Sequence, residues 1–143
     1  MVISIKTATT KKDKGKCFSI RRNVFVREQN ISEKIEFDDE SVDPTYFIAQ
    51  YENIFVGTAR YRFTDFGIKL ERFAVLKSYR NLGVGKKLAL YILNSIQEQK
   101  VIYLHAQESV IDFYSKLGFK RIGSQFFEAE ILHQKMIYNH KYI

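Results

Sequence analysis

The sequence contains little of what a secreted, membrane-spanning or zinc-binding chain needs. Its 143 residues include one cysteine, one proline and no tryptophan. Cys17 therefore cannot form an internal disulfide, and there is no cluster of cysteines that would hold zinc. The longest apolar run, residues 88–93, is far shorter than the roughly 18 residues of a membrane-spanning helix. The first residues lack the apolar stretch of a signal peptide. We therefore expect a cytoplasmic protein with no metal and no membrane partner.

What the chain does contain predicts a folded core. Hydrophobic residues make up 45% and aromatic residues 15% of the sequence, a content that excludes intrinsic disorder. The length falls in the range of roughly 100–200 residues that is usual for one domain. No repeat, low-complexity tract or Gly/Ser/Pro-rich linker interrupts it. The prediction is a single domain over residues 1–143.

The net charge of +7 is unevenly distributed along the chain. Residues 1–27 hold eight basic residues and one acid, residues 28–52 hold one basic residue and eight acids, and residues 53–127 hold twelve basic residues and five acids. The acidic block would repel the phosphates of DNA, so nucleic acid is not an expected partner. The pattern fits a protein that handles an anionic cofactor and a cationic acceptor. A solvated acidic loop is an equally good interpretation of the block.

Apolar periodicity and turn residues predict the order β-α-loop-β-β-β-α-β-α-β-β. This order predicts an α+β fold, with a mixed, mostly antiparallel sheet of six to seven strands flanked by helices. An acidic loop covers residues 30–44, and a less regular piece separates the last two strands. The predicted strands are residues 2–6, 46–51, 54–63, 68–76, 101–105, 119–123 and 132–138. The predicted helices are residues 12–27, 83–99 and 109–117.

Residues 72–88 form the most informative segment, a strand followed by a Gly-containing turn that opens a helix. Backbone N–H groups at such a turn point outward and the helix dipole adds partial positive charge, so the turn can bind phosphate. Gly83 and Gly85 permit close approach of a ligand, and neighbouring basic side chains add charge. Arg80 stands where a P-loop needs its first glycine, and Leu88 stands where a dinucleotide fingerprint needs its third. Both nucleotide motifs are therefore absent.

Arg80, Gly83 and Gly85 fit the pattern Arg/Gln-x-x-Gly-x-Gly/Ala, which resembles the pyrophosphate-binding loop of the GCN5-related N-acetyltransferases (the GNAT superfamily). Residues 112–119 (DFYSKLGF) resemble the F-Y-x-K-x-G-F signature of that superfamily. The resemblance runs from about residue 20 to 138 and implies a GNAT-like fold, N-acetyltransferase activity and acetyl-CoA as co-substrate. Segments that resemble its small bacterial YjcF- and ElaA-like branch are residues 22–29 (RNVFVREQ), 104–107 (LHAQ) and 127–136 (FEAEILHQKM).

The resemblance implies that acetyl-CoA binds in a cleft where the fourth and fifth strands splay apart. Main-chain groups of Phe73 and Val75 would hydrogen-bond the pantetheine arm, and an N–H near Val75 would polarise the thioester carbonyl. The residues expected to bind the cofactor are Phe73, Ala74, Val75, Arg80, Asn81, Leu82, Gly83, Val84, Gly85, Lys86, Gln107, Phe113 and Lys116.

Tyr114 is the candidate general acid for the departing thiolate. A phenol near pKa 10 and a thiol near 8.5 make complete proton transfer uphill by about 2 kcal/mol, so a hydrogen bond to the thiolate is an alternative role. The alternative is that Tyr114 is an aromatic residue of the core with no catalytic role. The sequence does not decide which group removes the proton from the amine; the candidates are Glu28, Glu71, Glu128, His133 and a water relay. We take Glu128 and His133 as catalytic candidates, because they share a branch segment and imidazole exchanges protons near neutral pH.

The expected acceptor is a primary amine of a small molecule, such as an amino sugar or a polyamine. Candidate acceptor-binding residues are Arg27, Glu28, Asp39 and Arg72. The acidic connection that contains Asp39 often borders the acceptor site in this family, and it would attract a cationic amine. Arg27 and Arg72 instead favour an anionic group on the acceptor, and the sequence leaves both options open. Tyr46 stands where this branch commonly has a histidine, which puts the family's acceptor in question for this chain.

Two other functions stay open at this point. One is a catalytically weak acyl-CoA-binding or sensor module of the same fold. The other is a nucleic-acid binder, suggested by the pI of about 9.4 and opposed by the placement of most aromatic residues in predicted core elements. Cys17 lies in the first helix, away from the cofactor segment, and direct transfer without an acetyl-cysteine is expected. Homodimers are frequent in the family, so a homodimer is a further expectation.

Overall fold

The computed structural model has the predicted alternation of strands and helices, and it describes residues 2–37, 43–98 and 100–140. The predicted α+β class, with a largely antiparallel sheet flanked by helices, is confirmed. The strands are β1 (Ile3–Thr7), β2 (Thr45–Tyr51), β3 (Ile54–Phe63), β4 (Ile68–Val75), β5 (Ile102–Gln107), β6 (Phe119–Arg121), β7 (Phe126–Glu128) and β8 (Ile131–Tyr138). The helices are α1 (Lys11–Arg21), a π-helix (Arg22–Glu28), α2 (Glu33–Glu36), α3 (Val84–Ser95) and α4 (Ile111–Lys116), with 3-10 helices at Lys77–Tyr79 and Glu108–Val110.

Four elements differ from the prediction, of which the first helix is described below. α3 ends at Ser95, because the backbone of Ile96 turns to an extended conformation at φ −84° and ψ 117°. The acidic loop contains α2, whose first turn is capped by the Ser32 hydroxyl, which accepts the Ile35 N–H at 3.2 Å. β7 is an additional strand in the segment predicted to be irregular, so the described residues form eight strands instead of six to seven.

The predicted first helix is two helices joined end to end. Thr10 caps α1, its hydroxyl accepting the Asp13 N–H at 3.0 Å. In the π-helix that follows, the Gln29 N–H donates to the Val24 carbonyl five residues earlier, at 3.0 Å. A π-helix bonds i to i+5 where an α-helix bonds i to i+4, and short π segments are frequent at functional sites. The segment ends at Glu28, one of the predicted acceptor residues.

The chain divides into two compact units, of which the first comprises Met1–Arg62 and Arg72–Glu98. Its strands lie in the order β1-β2-β3-β4, with β1 and β3 both antiparallel to β2. α3 packs on β1 and β2. A Cβ atom on Gly57 of β3 would lie 2.9 Å from Val84 Cγ1 and 3.3 Å from Leu88 Cδ1. Glycine at this position therefore lets the start of α3 lie directly on the strand, which fixes the place of the preceding turn.

The second unit comprises Phe63–Glu71 and Gln99–Ile143. Ile68–Leu70 of β4 pair in parallel with Ile102–Leu104 of β5, and β5 is antiparallel to β8. β8 also pairs with β6 and β7. In the register, His133 of β8 lies opposite Gln107 of β5 and opposite Phe126 of β7. The sheet of this unit therefore holds one of the predicted catalytic residues between two neighbouring strands.

Two further observations bear on the predicted class of protein. In the part of the chain that the structure describes, no helix is both long enough and apolar enough to cross a membrane. Over residues 2–37, 43–98 and 100–140, no group of three or more His, Cys, Asp or Glu side chains is placed to hold a metal ion. The prediction of one domain over residues 1–143 stays a prediction.

Candidate active site

Gly83 is the N-cap of α3 and lies in the predicted phosphate-binding turn of residues 72–88. Its φ of 89° lies in the left-handed region, which glycine adopts without steric cost. Among the described residues no side chain caps α3, and a Cβ atom on Gly83 would have no neighbour within 4 Å. The first N–H groups of a helix lack intrahelical partners and carry the positive end of the helix dipole. The turn is therefore open, and its geometry suits a phosphate ligand.

Arg80 precedes Gly83 by three residues and is held from two sides. Its Nη1 and Nη2 donate to Glu28 Oε2 and Oε1 at 2.6 and 2.7 Å. Its Nε donates to the Val75 carbonyl oxygen at 2.8 Å. The two charged side chains are 35% and 37% exposed. The structure thus joins a predicted cofactor residue and a predicted acceptor residue in one ion pair.

The other predicted cofactor residues are divided between the two units, and they range from buried to exposed. In the first unit, the two residues before Gly83 in the turn are exposed, so a ligand can reach this turn. In the first unit Ala74 and Val84 are buried, Phe73, Val75 and Gly85 are half-buried, and Asn81, Leu82 and Lys86 are exposed. In the second unit Gln107 and Phe113 are half-buried and Lys116 is exposed.

Arg72, a predicted acceptor residue, belongs to a buried ionic cluster in the first unit. Arg21 Nε donates to Glu36 Oε1 at 2.8 Å, and Arg72 Nε lies 3.3 Å from the same oxygen. The Arg21 and Glu36 side chains are 2% and 4% exposed. Burial raises the pKa of Glu36, against the opposing charges of Arg72 and Arg21. Of the remaining acceptor candidates, Arg27 is exposed and Asp39 lies outside the described residues.

Replacing Glu36 with glutamine is expected to lower the free energy of unfolding by roughly 3 kcal/mol, because the change leaves the buried guanidinium of Arg21 and the half-buried one of Arg72 without their carboxylate. Denaturant unfolding measures this loss. Glu33→Gln is the matched control, since Glu33 pairs with Arg22 at 2.7 Å but the two side chains are 59% and 42% exposed. An exposed pair contributes about 1 kcal/mol or less. Equal losses in the two variants would contradict a stabilising role for the buried cluster.

Glu128, a predicted catalytic residue, lies between two histidines in the second unit. His105 Nδ1 is 3.2 Å from Glu128 Oε1, and His133 Nε2 is 3.8 Å from Glu128 Oε2. The ring of Phe126 contacts both imidazoles, with centroid distances of 4.9 Å to His105 and 6.0 Å to His133. β5, β7 and β8 therefore bring the predicted pair Glu128 and His133 together and add His105 to it.

The contacts of this cluster fix one proton of His133 and the charge of Glu128. His133 Nδ1 is 2.7 Å from the carbonyl oxygen of Ile131. A carbonyl only accepts, so Nδ1 carries a proton, and Nε2 is the ring nitrogen that faces Glu128. The hydrogen bond with His105 lowers the pKa of Glu128 to about 2, with a smaller contribution from Lys69. The cluster therefore offers an ionised carboxylate, 43% exposed, beside a nitrogen that can accept a proton.

His105 is the site residue that the sequence did not single out. It stands in the segment LHAQ, which resembles the YjcF- and ElaA-like branch, and that segment was the available signal. Its partner Glu128 lies 23 residues further along, on β7, the strand that was not predicted. The pairing therefore depends on strand register, which local patterns do not reveal.

Tyr114, the candidate general acid, is buried in α4 of the second unit with 6% exposure. The rings of Phe113 and Phe119 pack edge-on against it, at centroid distances of 5.0 and 5.8 Å. Burial raises the pKa of Tyr114 well above the ordinary value of 10. A phenol in this environment keeps its proton, so it is better suited to donate a hydrogen bond than to release the proton.

Three other residues that the sequence singled out are buried, and their contacts are typical of residues with a structural role. Glu71 Oε1 lies 3.6 Å from Lys69 Nζ, and both side chains are buried. Cys17 is fully buried, its Sγ lies 3.6 Å from a backbone carbonyl of β2, and burial raises its thiol pKa. Such a thiol is a poor nucleophile. Tyr46 is buried, and its hydroxyl lies 3.5 Å from Arg60 Nη1.

Comparison with known proteins identifies the family. The family model described as "Acetyltransferase (GNAT) domain" matches residues 8–139. The chain belongs to the GNAT superfamily. A Bacillus subtilis protein named as a candidate acetyltransferase is 37% identical over 139 residues, covering 94% of this chain and 95% of that protein. The uncharacterised N-acetyltransferase YjcF of the same organism is 32% identical over 123 residues, covering 84% of this chain and 88% of YjcF.

Solved structures agree on the fold. The crystal structure of Escherichia coli ElaA superimposes with a TM-score of 0.84 at 23% identity, covering 96% of this chain and 100% of ElaA. The predicted membership of the GNAT superfamily, as a small bacterial protein like YjcF and ElaA, is confirmed. The predicted enzyme class, a GNAT-type N-acetyltransferase that uses an acyl-CoA donor, is confirmed with it.

Proposed function

We propose that this GNAT enzyme transfers an acetyl group from acetyl-CoA directly to a primary amine of a small molecule. The observation that carries the choice of an amine is the cluster of Glu128, His105 and His133. An ionised carboxylate attracts an ammonium group, and the neighbouring imidazole would take the proton that the nitrogen must lose before it attacks. Imidazole is the side chain best suited to that exchange near neutral pH.

For the donor, we propose that the turn at Gly83 binds the pyrophosphate of acetyl-CoA. The open N-terminus of α3 and the left-handed backbone of Gly83 support this assignment. Exposed Lys86 adds positive charge beside the turn. Main-chain groups of Phe73 and Val75 would bind the pantetheine arm, and the remaining predicted cofactor residues would line its path.

For the acceptor, we propose that the amine arrives as an ammonium ion and is held by Glu128. Nε2 of His133 accepts one of its protons, and the carboxylate stabilises the imidazolium that forms. His105, through its hydrogen bond to the same carboxylate, is a positioning residue. Arg72 lies beside Glu36 and is engaged there, which favours a cationic acceptor over an anionic one.

The proposed reaction balances without a further reactant. The amine nitrogen, which has given one proton to His133, attacks the thioester carbon, the new C–N bond forms, and the C–S bond of acetyl-CoA breaks. The nitrogen releases its second proton to solvent as the amide forms. The electron pair of that bond leaves on sulfur, where a hydrogen bond from Tyr114 would stabilise the thiolate until solvent protonates it. The products are the acetylated amine and free coenzyme A. Holding both substrates on one protein removes the entropic cost of a bimolecular encounter.

The experiment that tests the proposed function is thermal unfolding with and without acetyl-CoA. A ligand at 100 times its Kd stabilises the folded state by about 2.7 kcal/mol, which raises Tm by roughly 5–10 °C for a chain of this size. We expect this rise with acetyl-CoA and free coenzyme A, and none with AMP. Thiol release with a panel of amino sugars and polyamines then tests transfer.

Each result of that experiment has a distinct meaning. A rise in Tm with thiol release for at least one amine supports the proposal. A rise in Tm without thiol release for any amine favours the catalytically weak acyl-CoA sensor. No rise at saturating acetyl-CoA contradicts both.

We further propose a single domain over residues 1–143 that acts in the cytoplasm. One family model spans residues of both units, which supports the single domain. The lone cysteine, Cys17, is consistent with a reducing compartment. A homodimer, by analogy with other GNAT proteins, is tested by sedimentation.

A further inference from the structure

Glu28 and Arg80 meet in a geometry more specific than an ordinary surface ion pair. The two residues are 52 positions apart, and both carboxylate oxygens of Glu28 accept from different terminal nitrogens of Arg80, at 2.6 and 2.7 Å. A two-point contact of this kind fixes the relative orientation of the groups as well as their distance. This hydrogen-bonded contact stabilises both charges, so it lowers the pKa of Glu28 and raises the pKa of Arg80.

Both ends of this contact are attached to fixed parts of the first unit. Arg80 Nε donates to the Val75 carbonyl at the end of β4, so three donors of one guanidinium are in use. Glu28 ends the π-helix, whose buried residues Val24 and Phe25 pack in one core cluster with Ala74 of β4. The side chain of Arg80 therefore connects the π-helix, the end of β4 and the turn that leads into α3.

The geometry points to a role for this pair within the proposed cofactor site, and the argument rests on the proposed function. We infer that Glu28 is a positioning residue that holds Arg80, and through Arg80 the turn at Gly83, in the shape that receives the pyrophosphate of acetyl-CoA. Arg80 then acts through its contacts with Glu28 and Val75, and its terminal nitrogens do not bind the phosphates. Glu28 is not a ligand of the acceptor.

The ion pair determines which groups supply positive charge to the proposed pyrophosphate site. Because Glu28 neutralises Arg80, the positive charge for the pyrophosphate comes from the helix N-terminus and from exposed Lys86. An arginine that served as a phosphate ligand would behave in the opposite way. Removing its competing carboxylate would free it and strengthen binding of the cofactor.

Glu28→Gln separates these two roles by the sign of the change. If Glu28 positions the turn, the Kd for acetyl-CoA rises roughly tenfold, because a hydrogen bond between charged groups is lost. The KM for acetyl-CoA rises with it, while kcat stays near the wild-type value. The same variant should bind S-acetylpantetheine, which lacks the pyrophosphate, as the wild type does. Glu33→Gln, which removes a different exposed carboxylate from an arginine pair, should leave both affinities unchanged.

Arg80→Lys supplies a second test. Lysine keeps the charge but cannot form the two-point contact, and it also loses the Nε contact with Val75, so a positioning role predicts a weakening at least as large as in Glu28→Gln. The double variant should then be no weaker than Arg80→Lys, since that change already removes the contact that Glu28→Gln breaks. Melting temperatures of all variants confirm that each is folded.

Several results would overturn the inference. Tighter binding of acetyl-CoA by Glu28→Gln would show that Arg80 is a phosphate ligand. Unchanged binding would show that the Glu28–Arg80 pair has no role in binding the cofactor. Equal loss for acetyl-CoA and S-acetylpantetheine would place the effect away from the pyrophosphate. A wild-type protein that binds neither acetyl-CoA nor coenzyme A would instead refute the proposed function itself.

Discussion

Replacing Tyr114 with phenylalanine is expected to lower kcat for acetyl transfer roughly a hundredfold, because a donor aimed at developing charge is lost. The Kd for acetyl-CoA should stay within twofold of the wild type, since the ring and its packing are retained. Steady-state thiol release and calorimetric titration measure the two quantities. Burial raises the pKa of Tyr114, so we expect its contribution to come from hydrogen bonding to the thiolate.

Tyr138→Phe is the matched control for this prediction. Tyr138 is also a buried tyrosine of the second unit, at 5% exposure, and its ring lies 5.2 Å from that of Phe119. It should lose no turnover. If Tyr114→Phe keeps full turnover, or if both variants lose it equally, Tyr114 is a core aromatic residue without a direct role in catalysis.

Replacing Glu128 with glutamine is expected to lower kcat by roughly 10²- to 10³-fold for an amine acceptor. The amide cannot attract the ammonium group, and it cannot stabilise an imidazolium at His133. The KM for the amine should rise as well, because the carboxylate that holds it is gone. The Kd for acetyl-CoA should not change. Initial rates against amine concentration, at fixed saturating acetyl-CoA, separate these effects.

Glu130→Gln controls for the loss of one negative charge from the same hairpin. Glu130 is exposed and lies in the turn between β7 and β8. Its replacement should leave kcat and both KM values near the wild type. A Glu128→Gln variant that matches Glu130→Gln would remove Glu128 and His133 from the proposed mechanism and leave a water relay as the base.

Much of the fold follows from local sequence, because most strands are bounded by clear signals. The predicted strands 46–51 and 54–63 leave Glu52 and Asn53 between them as a turn, and both residues have positive φ, 48° and 77°. Gly118 directly follows the predicted helix 109–117, where a left-handed cap is common, and its φ is 104°. In each case a polar or glycine residue stands where the backbone must adopt a left-handed conformation.

The hairpin of β7 and β8 shows where such signals fail. Its turn is formed by Ala129 and Glu130, with φ of 51° and 62°, and neither residue is typical of a left-handed turn. β7 is three residues long, too short for alternation to be recognised. Cross-strand pairing with β8 stabilises this conformation against the local preference. Because Glu128 is on that strand, its contact with His105 was missed as well.

The residues of the candidate site show the same difference between local motifs and long-range contacts. The glycine turn and Tyr114 belong to contiguous motifs, so the sequence could nominate them. The pairing of Glu28 with Arg80, and of Arg72 with Glu36, joins residues far apart in the chain. Charge and residue type identified each as a candidate for binding, but only the three-dimensional contacts show that they bind one another.

The π-helix also bears on how this chain could have diverged from its relatives. Each residue of an α-helix advances about 100° around the axis, and a π turn holds one residue more than an α turn. Deleting one residue between Arg22 and Glu28 would therefore restore an α turn and leave the carboxylate that meets Arg80 facing nearly the same direction. We expect homologues that are one residue shorter here to have an unbroken α-helix at this position. Such homologues can keep both charges and the ion pair.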